Sequence, residues 1–255
     1  SLLLPRAVPL GKSINFTDAL FISTSSVCVT GLAVIDIGKE LSLFGQLVVL
    51  SLIQIGGLGL MTLMCFFTIT FGSGFGIRER VLMKDILSIS NIGKISKLIV
   101  FILLMTLIIE AMGAFLFFCS FDFSQNDSLL HKIYFSVFHS VSAFCNAGFS
   151  LNSNNLMDYK GNVLVNFTCC SLIVTGGLGF IVMYNMVSVF KRRILKRFMH
   201  ISDGYLPRFS VHTNLVLITT FLLIVIGAIL YYYFELNYTL KGLTLTEKIL
   251  VSIFQ

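Results

Sequence analysis

Two tripeptides that end in glycine are the residues here most suited to chemistry. Val29-Thr30-Gly31 and Asn146-Ala147-Gly148 each follow a short run rich in hydroxyls, first Ser23, Thr24, Ser25 and Ser26, then Ser136, Ser140 and Ser142. Glycine admits backbone dihedrals closed to other residues, so successive carbonyl oxygens can turn toward one axis. A ring of such oxygens can replace the water shell of a monovalent cation such as potassium. Two copies supply half a ring. The candidate ion-binding residues are therefore Val29, Thr30, Gly31, Asn146, Ala147 and Gly148, acting through main-chain oxygens, and no residue is assigned a catalytic role.

The elements that must position these residues form an internal repeat. Residues 15–32 read NFTDALFISTSSVCVTGL and residues 132–149 read KIYFSVFHSVSAFCNAGF, so Phe21 meets Phe138, Ser23 meets Ser140, Cys28 meets Cys145 and Gly31 meets Gly148 at one offset of 117. Gly56-Gly57-Leu58-Gly59 recurs as Gly176-Gly177-Leu178-Gly179 at an offset of 120. A third copy begins at residues 248–255 (KILVSIFQ), which match residues 132–139 (KIYFSVFH). The third counterpart of Gly148 is expected past Gln255, so the sequence reads as a fragment of a longer chain.

Run lengths supply the solvent. The chain is 56% hydrophobic and 12% charged, against about 25% charged in soluble domains. A helix needs about 20 apolar residues to cross a bilayer core, and residues 41–71, 98–118, 163–190 and 215–234 meet that length with Glu110 as their one charged residue. The hydroxyl-rich segments, residues 18–27 and 132–143, are too short to cross. They read as re-entrant helices, tolerated at membrane depth where protein surrounds them or they line a watery cavity. Each would aim the partial negative charge of its C-terminal end at the glycine, with Asp18 at the opposite end of the first.

The fold class expected is all-α and integral to the membrane, in repeated helix, re-entrant pore-loop, helix units. The first repeat covers 1–71, with a truncated outer helix, a pore loop at about 18–31 and an inner helix at about 41–71. After a linker at 72–97, the second covers 98–190, with outer helix 98–118, pore loop 132–148 and inner helix 163–190. After a linker at 191–213, the third opens at 214–255, with outer helix 215–234 and the beginning of a pore helix at 246–255.

Charge sets the orientation. Of 18 basic residues, 11 lie within 72–97 and 189–213, so the positive-inside rule assigns both loops to the cytoplasm and accounts for the net charge of +6 without a nucleic-acid partner. Cys28, Cys65, Cys119, Cys145, Cys169 and Cys170 lack CxxC spacing and read as buried reduced thiols. Gly56-Gly57 and Gly176-Gly177 read as sites of close helix packing. Glu110, the one acid inside a membrane run, is a candidate relay, but on an outer helix it reads better as a hydrogen bond between helices. His131, His139, His200 and His212 are expected at membrane edges or in loops, with no arrangement suited to haem. Nothing converges as enzyme chemistry requires.

With these residues in view, the sequence resembles the Trk/Ktr/HKT superfamily of potassium transporters, most nearly the bacterial Ktr membrane subunits (KtrB-like). The matching stretches are residues 24–32 (TSSVCVTGL), 54–62 (QIGGLGLMT), 143–151 (AFCNAGFSL) and 175–180 (TGGLGF). The resemblance implies four joined repeats around one pore, of which this chain holds about the first two. It places the selectivity filter on Gly31 and Gly148 with Val29, Thr30, Asn146 and Ala147. It also implies potassium as substrate in the plasma membrane, possible sodium dependence, no organic cofactor, a homodimer in membrane lipid and a cytosolic nucleotide-binding ring (KtrA/TrkA-like). A serine at the first filter glycine accompanies sodium preference in related plant transporters, and Gly31 stands here. The alternative reading is a transporter of another monovalent cation, such as sodium, or of a small solute, using broken helices.

Overall fold

The computed structural model describes residues 2–9, 13–59, 95–123, 128–199 and 208–255, with the side chains at 95–99 and 195–199 outside that description. The described residues are all helix and loop. In chain order the helices are α1 (Phe16–Val27), α2 (Ile37–Glu40), α3 (Leu43–Leu58), α4 (Ile95–Ser120), α5 (Leu129–Phe144), α6 (Val163–Gly177), α7 (Phe180–Met199), α8 (Val211–Glu235) and α9 (Leu245–Phe254).

Most starts are fixed by a side-chain oxygen that satisfies an otherwise orphan backbone N–H. Ser42 accepts from the Gly45 amide, Ser128 from His131, Asn162 from Leu164 and Val165, and Ser210 from Thr213. Thr244 and Glu247 close a reciprocal capping box at α9. Thus α5 begins three residues before the start expected at 132, because Ser128 supplies the cap.

Among the described residues two helices are long and apolar enough to cross a membrane whole, Val100–Ser120 within α4 and Val211–Glu235. At 1.5 Å per residue the 25 residues of α8 extend about 37 Å, which exceeds a hydrocarbon core of about 30 Å. The most apolar stretch of α8 buries none of its residues against the described chain, and that of α4 only 33%. Such a face is far larger than the few hundred Å² a soluble monomer exposes, and lipid is the solvent that suits it.

The other two expected spans differ from the sequence reading. Residues 163–190 do not form one helix: the chain bends by 103° between Val163–Gly177 and the helix that starts at Phe180. Gly179 sits at the bend with φ +84, a left-handed conformation that glycine alone adopts without steric cost. In the first repeat Gly59 occupies the matching place with φ +78 and closes α3 at Leu58. The described part of residues 41–71 is therefore a 16-residue helix. Residues 60–94, with Cys65 and most of the linker expected at 72–97, lie outside the described residues, as does His200.

The two repeats share one core. Helix α1 packs on α3, α5 packs on α4, α6 and α3, and α4 also packs on α6. Ile22, Val49 and Ile53 of the first repeat join Phe117, Phe138 and Val165 of the second, all fully buried, in a single cluster. The opening of the third repeat attaches through α9, which contacts α6.

The glycine pairs let backbone touch backbone at this core. A Cβ on Gly56 would collide with the Val27 carbonyl oxygen, and a Cβ on Gly176 with the Phe144 carbonyl oxygen. Val27 and Phe144 are the last residues of α1 and α5, so each inner helix lies directly against the end of its own short helix. Overpacking of this kind costs about 1–3 kcal/mol. In the full-length protein Gly176→Ala is expected to lower the melting temperature in detergent, while Gly227→Ala, where a Cβ meets nothing within 4 Å, leaves it unchanged; equal melting temperatures for the two variants contradict this packing.

Candidate functional site

The ends of α1 and α5 are the same structure built twice. Cys28 and Cys145 are the C-caps, at φ −78 and −74. The next residues, Val29 and Asn146, turn left-handed at φ 55 and 57. The Thr30 amide donates to the Ser25 carbonyl at 2.9 Å and the Val29 amide to Ser26 at 3.3 Å; in the second copy Ala147 donates to Ser142 at 2.8 Å and Asn146 to Ala143 at 3.1 Å. These paired bonds are a Schellman closure, which uses up the last carbonyls of each helix. Gly31 and Gly148 follow with φ 81 and 71.

Left-handed residues therefore alternate with ordinary ones at 29 and 31, and again at 146 and 148. In an extended strand successive carbonyls point to opposite sides; a change of hand at every second residue brings them to one side. A buried serine then closes each loop from behind. Ser25 Oγ donates to the Leu32 carbonyl at 2.7 Å, and Ser142 Oγ to the Phe149 carbonyl at 2.6 Å. The carbonyl oxygens of Val29, Thr30, Asn146 and Ala147 accept no hydrogen bond among the described residues.

The two turns meet. A Cβ on Gly148 would stand 3.4 Å from the Gly31 Cα, and a Cβ on Gly31 would stand 2.6 Å from the Ala147 carbonyl oxygen. Gly31 thus touches Ala147 and Gly148, and the turns that carry the six residues follow the C-terminal ends of α1 and α5. Each helix end adds about half a negative charge directed at the meeting point. Free carbonyl oxygens beside two helix C-termini are chemistry that suits a positive ion.

Other residues that support the turns were read differently in the sequence. His139 is not in a loop: it lies within α5, 3% exposed, with Nδ1 at 2.8 Å from the Phe135 carbonyl and Nε2 at 3.0 Å from Ser150 Oγ. It ties the helix to the segment just past Gly148, where the first repeat has Ile22 instead. The thiols are not uniformly buried either, since Cys28 and Cys119 are exposed and Cys170 half-buried, while Cys145 and Cys169 are buried. Glu110 does join two helices, as its Oε2 accepts from Gln54 Nε2 at 3.3 Å. Past Gly31, Asp36 caps α2 through the Gly38 and Lys39 amides. Partial burial opposes ionisation of this carboxyl, but bonds from the Ser153 hydroxyl and from those amides, with the nearby Lys39 charge, hold it below the usual carboxylate range. The chain beyond the first turn is thereby pinned to the loop beyond the second.

With this geometry in place, comparison with known proteins decides the family. Residues 4–254 match the TrkH family model, described as a cation transport protein. The chain belongs to the TrkH cation transport family. It is 35% identical to the Ktr system potassium uptake protein B of Bacillus subtilis over 100% of this chain and 54% of that protein. It is 34% identical to the protein of the same description from Vibrio alginolyticus, over 99% of this chain and 54% of the relative. Identity to the potassium/sodium uptake protein NtpJ of Enterococcus hirae is 33%, over 99% and 53%. The chain spans about half the length of the curated relatives it matches. The TrkH chain is a membrane protein of a transporter family and not an enzyme.

One position in the two turns is strained. Asparagine tolerates the left-handed region, whereas a β-branched residue there is an outlier, at a cost of about 1–3 kcal/mol. Val29→Asn, which copies Asn146, is expected to raise stability by about 1 kcal/mol; an unchanged or lower melting temperature of the full-length variant would show that Val29 is not strained.

Proposed function

We propose that this chain carries half of a potassium-selective filter, in the ion-translocating subunit of a Ktr-type uptake system in the cell membrane. The observation that carries the reading is the contact of the Gly31 and Gly148 turns, each with uncommitted carbonyl oxygens at Val29–Thr30 and Asn146–Ala147. A dehydrated potassium ion replaces lost water with such oxygens. Two matching turns from the rest of a full-length subunit complete the ring.

The helix ends behind the turns favour a cation without a buried carboxylate, so the ion is not held too tightly to leave. The relatives' potassium uptake descriptions support potassium as the cargo. Their Ktr names support assembly with other components of such a system, for which a homodimer and a cytosolic nucleotide-binding ring are our reading. The basic loops at 72–97 and 189–213 then face the cytoplasm, and the turns open toward the outer side. The potassium/sodium description of one relative favours a second reading, a filter that also passes sodium.

The test is uptake by the complete protein in a cell that lacks its own potassium transport. A Cβ at residue 148 faces Gly31 and occupies a left-handed backbone position, so Gly148→Ser is expected to lower the preference for potassium over sodium about tenfold, which is about 1.4 kcal/mol. Unchanged selectivity excludes Gly148 from the filter, and equal uptake of both ions by the unaltered protein favours the second reading.

A further inference from the structure

Behind the second turn lies a polar group of residues that the filter itself does not require. Glu110, on α4, is 7% exposed. Its Oε2 accepts from Gln54 Nε2 at 3.3 Å, and Gln54 Oε1 accepts a long contact of 3.9 Å from Cys145 Sγ. Its backbone carbonyl accepts from Ser140 Oγ at 2.7 Å. Ser140 and Cys145 belong to the last turn and C-cap of α5, and Asn146 follows directly.

Two glycines make this possible. A Cβ on Gly57 would collide with Cys145 Sγ, and a Cβ on Gly113 would stand 2.5 Å from Ser140 Oγ. The inner helix of the first repeat and the outer helix of the second thus grip the end of α5 from both sides, and one acid links the two grips.

The next seam is built without this group. At the repeat offset of 120 Gln54 becomes Val174, and when Gly113-Ala114 is matched to Gly227-Ala228 Glu110 becomes Ile224. Burying an acid in a membrane helix is costly. Glu110 Oε1 has no partner among the described residues, and Thr106 Oγ1, one turn earlier on α4, has none either. The seam carries more polar capacity than packing needs.

We propose that Glu110, through Gln54, is a positioning residue that sets the height of the Asn146-Ala147-Gly148 turn and so tunes ion selectivity. This rests on the filter reading above. The role belongs to the seam between the first two repeats. Neither Glu110 nor Gln54 touches the ion.

The test uses the full-length protein in the same uptake assay, with apparent KM and maximal rate measured separately for potassium and sodium. Gln54→Val and Glu110→Leu are expected to raise the potassium KM about tenfold, the effect of losing a hydrogen bond to a charged group, with little change in the sodium KM. Glu110→Gln, which keeps an acceptor for Gln54, retains the unaltered values. The double variant Glu110→Ile with Gln54→Val, which copies the next seam, remains as impaired as either single change. Restoration of the potassium KM by the double variant would mean that the pair only fills space and would overturn the proposal. So would unaltered KM values in Gln54→Val, which decides the matter if Glu110→Leu does not reach the membrane. If Gly148→Ser abolishes selectivity while these variants keep it, this inference alone fails; if Gly148→Ser also keeps it, the filter reading fails first.

Discussion

A carbonyl oxygen at bilayer depth has no water to turn to, and the arrangement of this chain follows from how its oxygens are paired. At the end of each short helix four or five carbonyls would be left over. The Schellman bonds to Ser25, Ser26, Ser142 and Ala143 use one set, and the Ser25 and Ser142 hydroxyls use the Leu32 and Phe149 oxygens beyond the glycine. The Val29, Thr30, Asn146 and Ala147 oxygens in between accept no hydrogen bond among the described residues. The turn oxygens stay free because the Schellman and serine bonds are made on either side of them.

That economy constrains the packing. The helix end must be reached by backbone, so the inner helices approach through Gly56 and Gly176, whose missing side chains admit the Val27 and Phe144 carbonyls. Three residues later the same motif places Gly59 and Gly179 in left-handed conformations that stop the helix. One GGLG sequence thus performs two tasks at opposite ends of its four residues, a close approach followed by a break. An apolar run alone specifies membrane depth and is silent about either.

This explains what was legible in the sequence. The repeat, the short helices and the six turn residues were readable because they recur at one offset, and recurrence exposes a backbone need that a single glycine cannot. The break after Gly177 was not readable, since Leu178 and Phe180 keep the hydropathy of a continuous helix. His139 was misplaced because its register partner is Ile22 and nothing local shows that Phe117, Phe121 and Phe135 surround the ring. The exposure of Cys28 beside the burial of Cys145 likewise depends on Gly57, a residue of the other repeat. Cross-repeat contacts leave no trace in local periodicity.

Repeats joined in one chain are free to differ where symmetric subunits are not. The turns themselves vary little, since both repeat one pair of left-handed dihedrals and one closing serine bond. The seams can, and they do: Gln54 against Val174, His139 against Ile22, Cys145 packed in where Cys28 is open. His139 and Gln54 each add a polar contact behind the second turn. A single chain can therefore build one turn twice and still hold each copy through different neighbours.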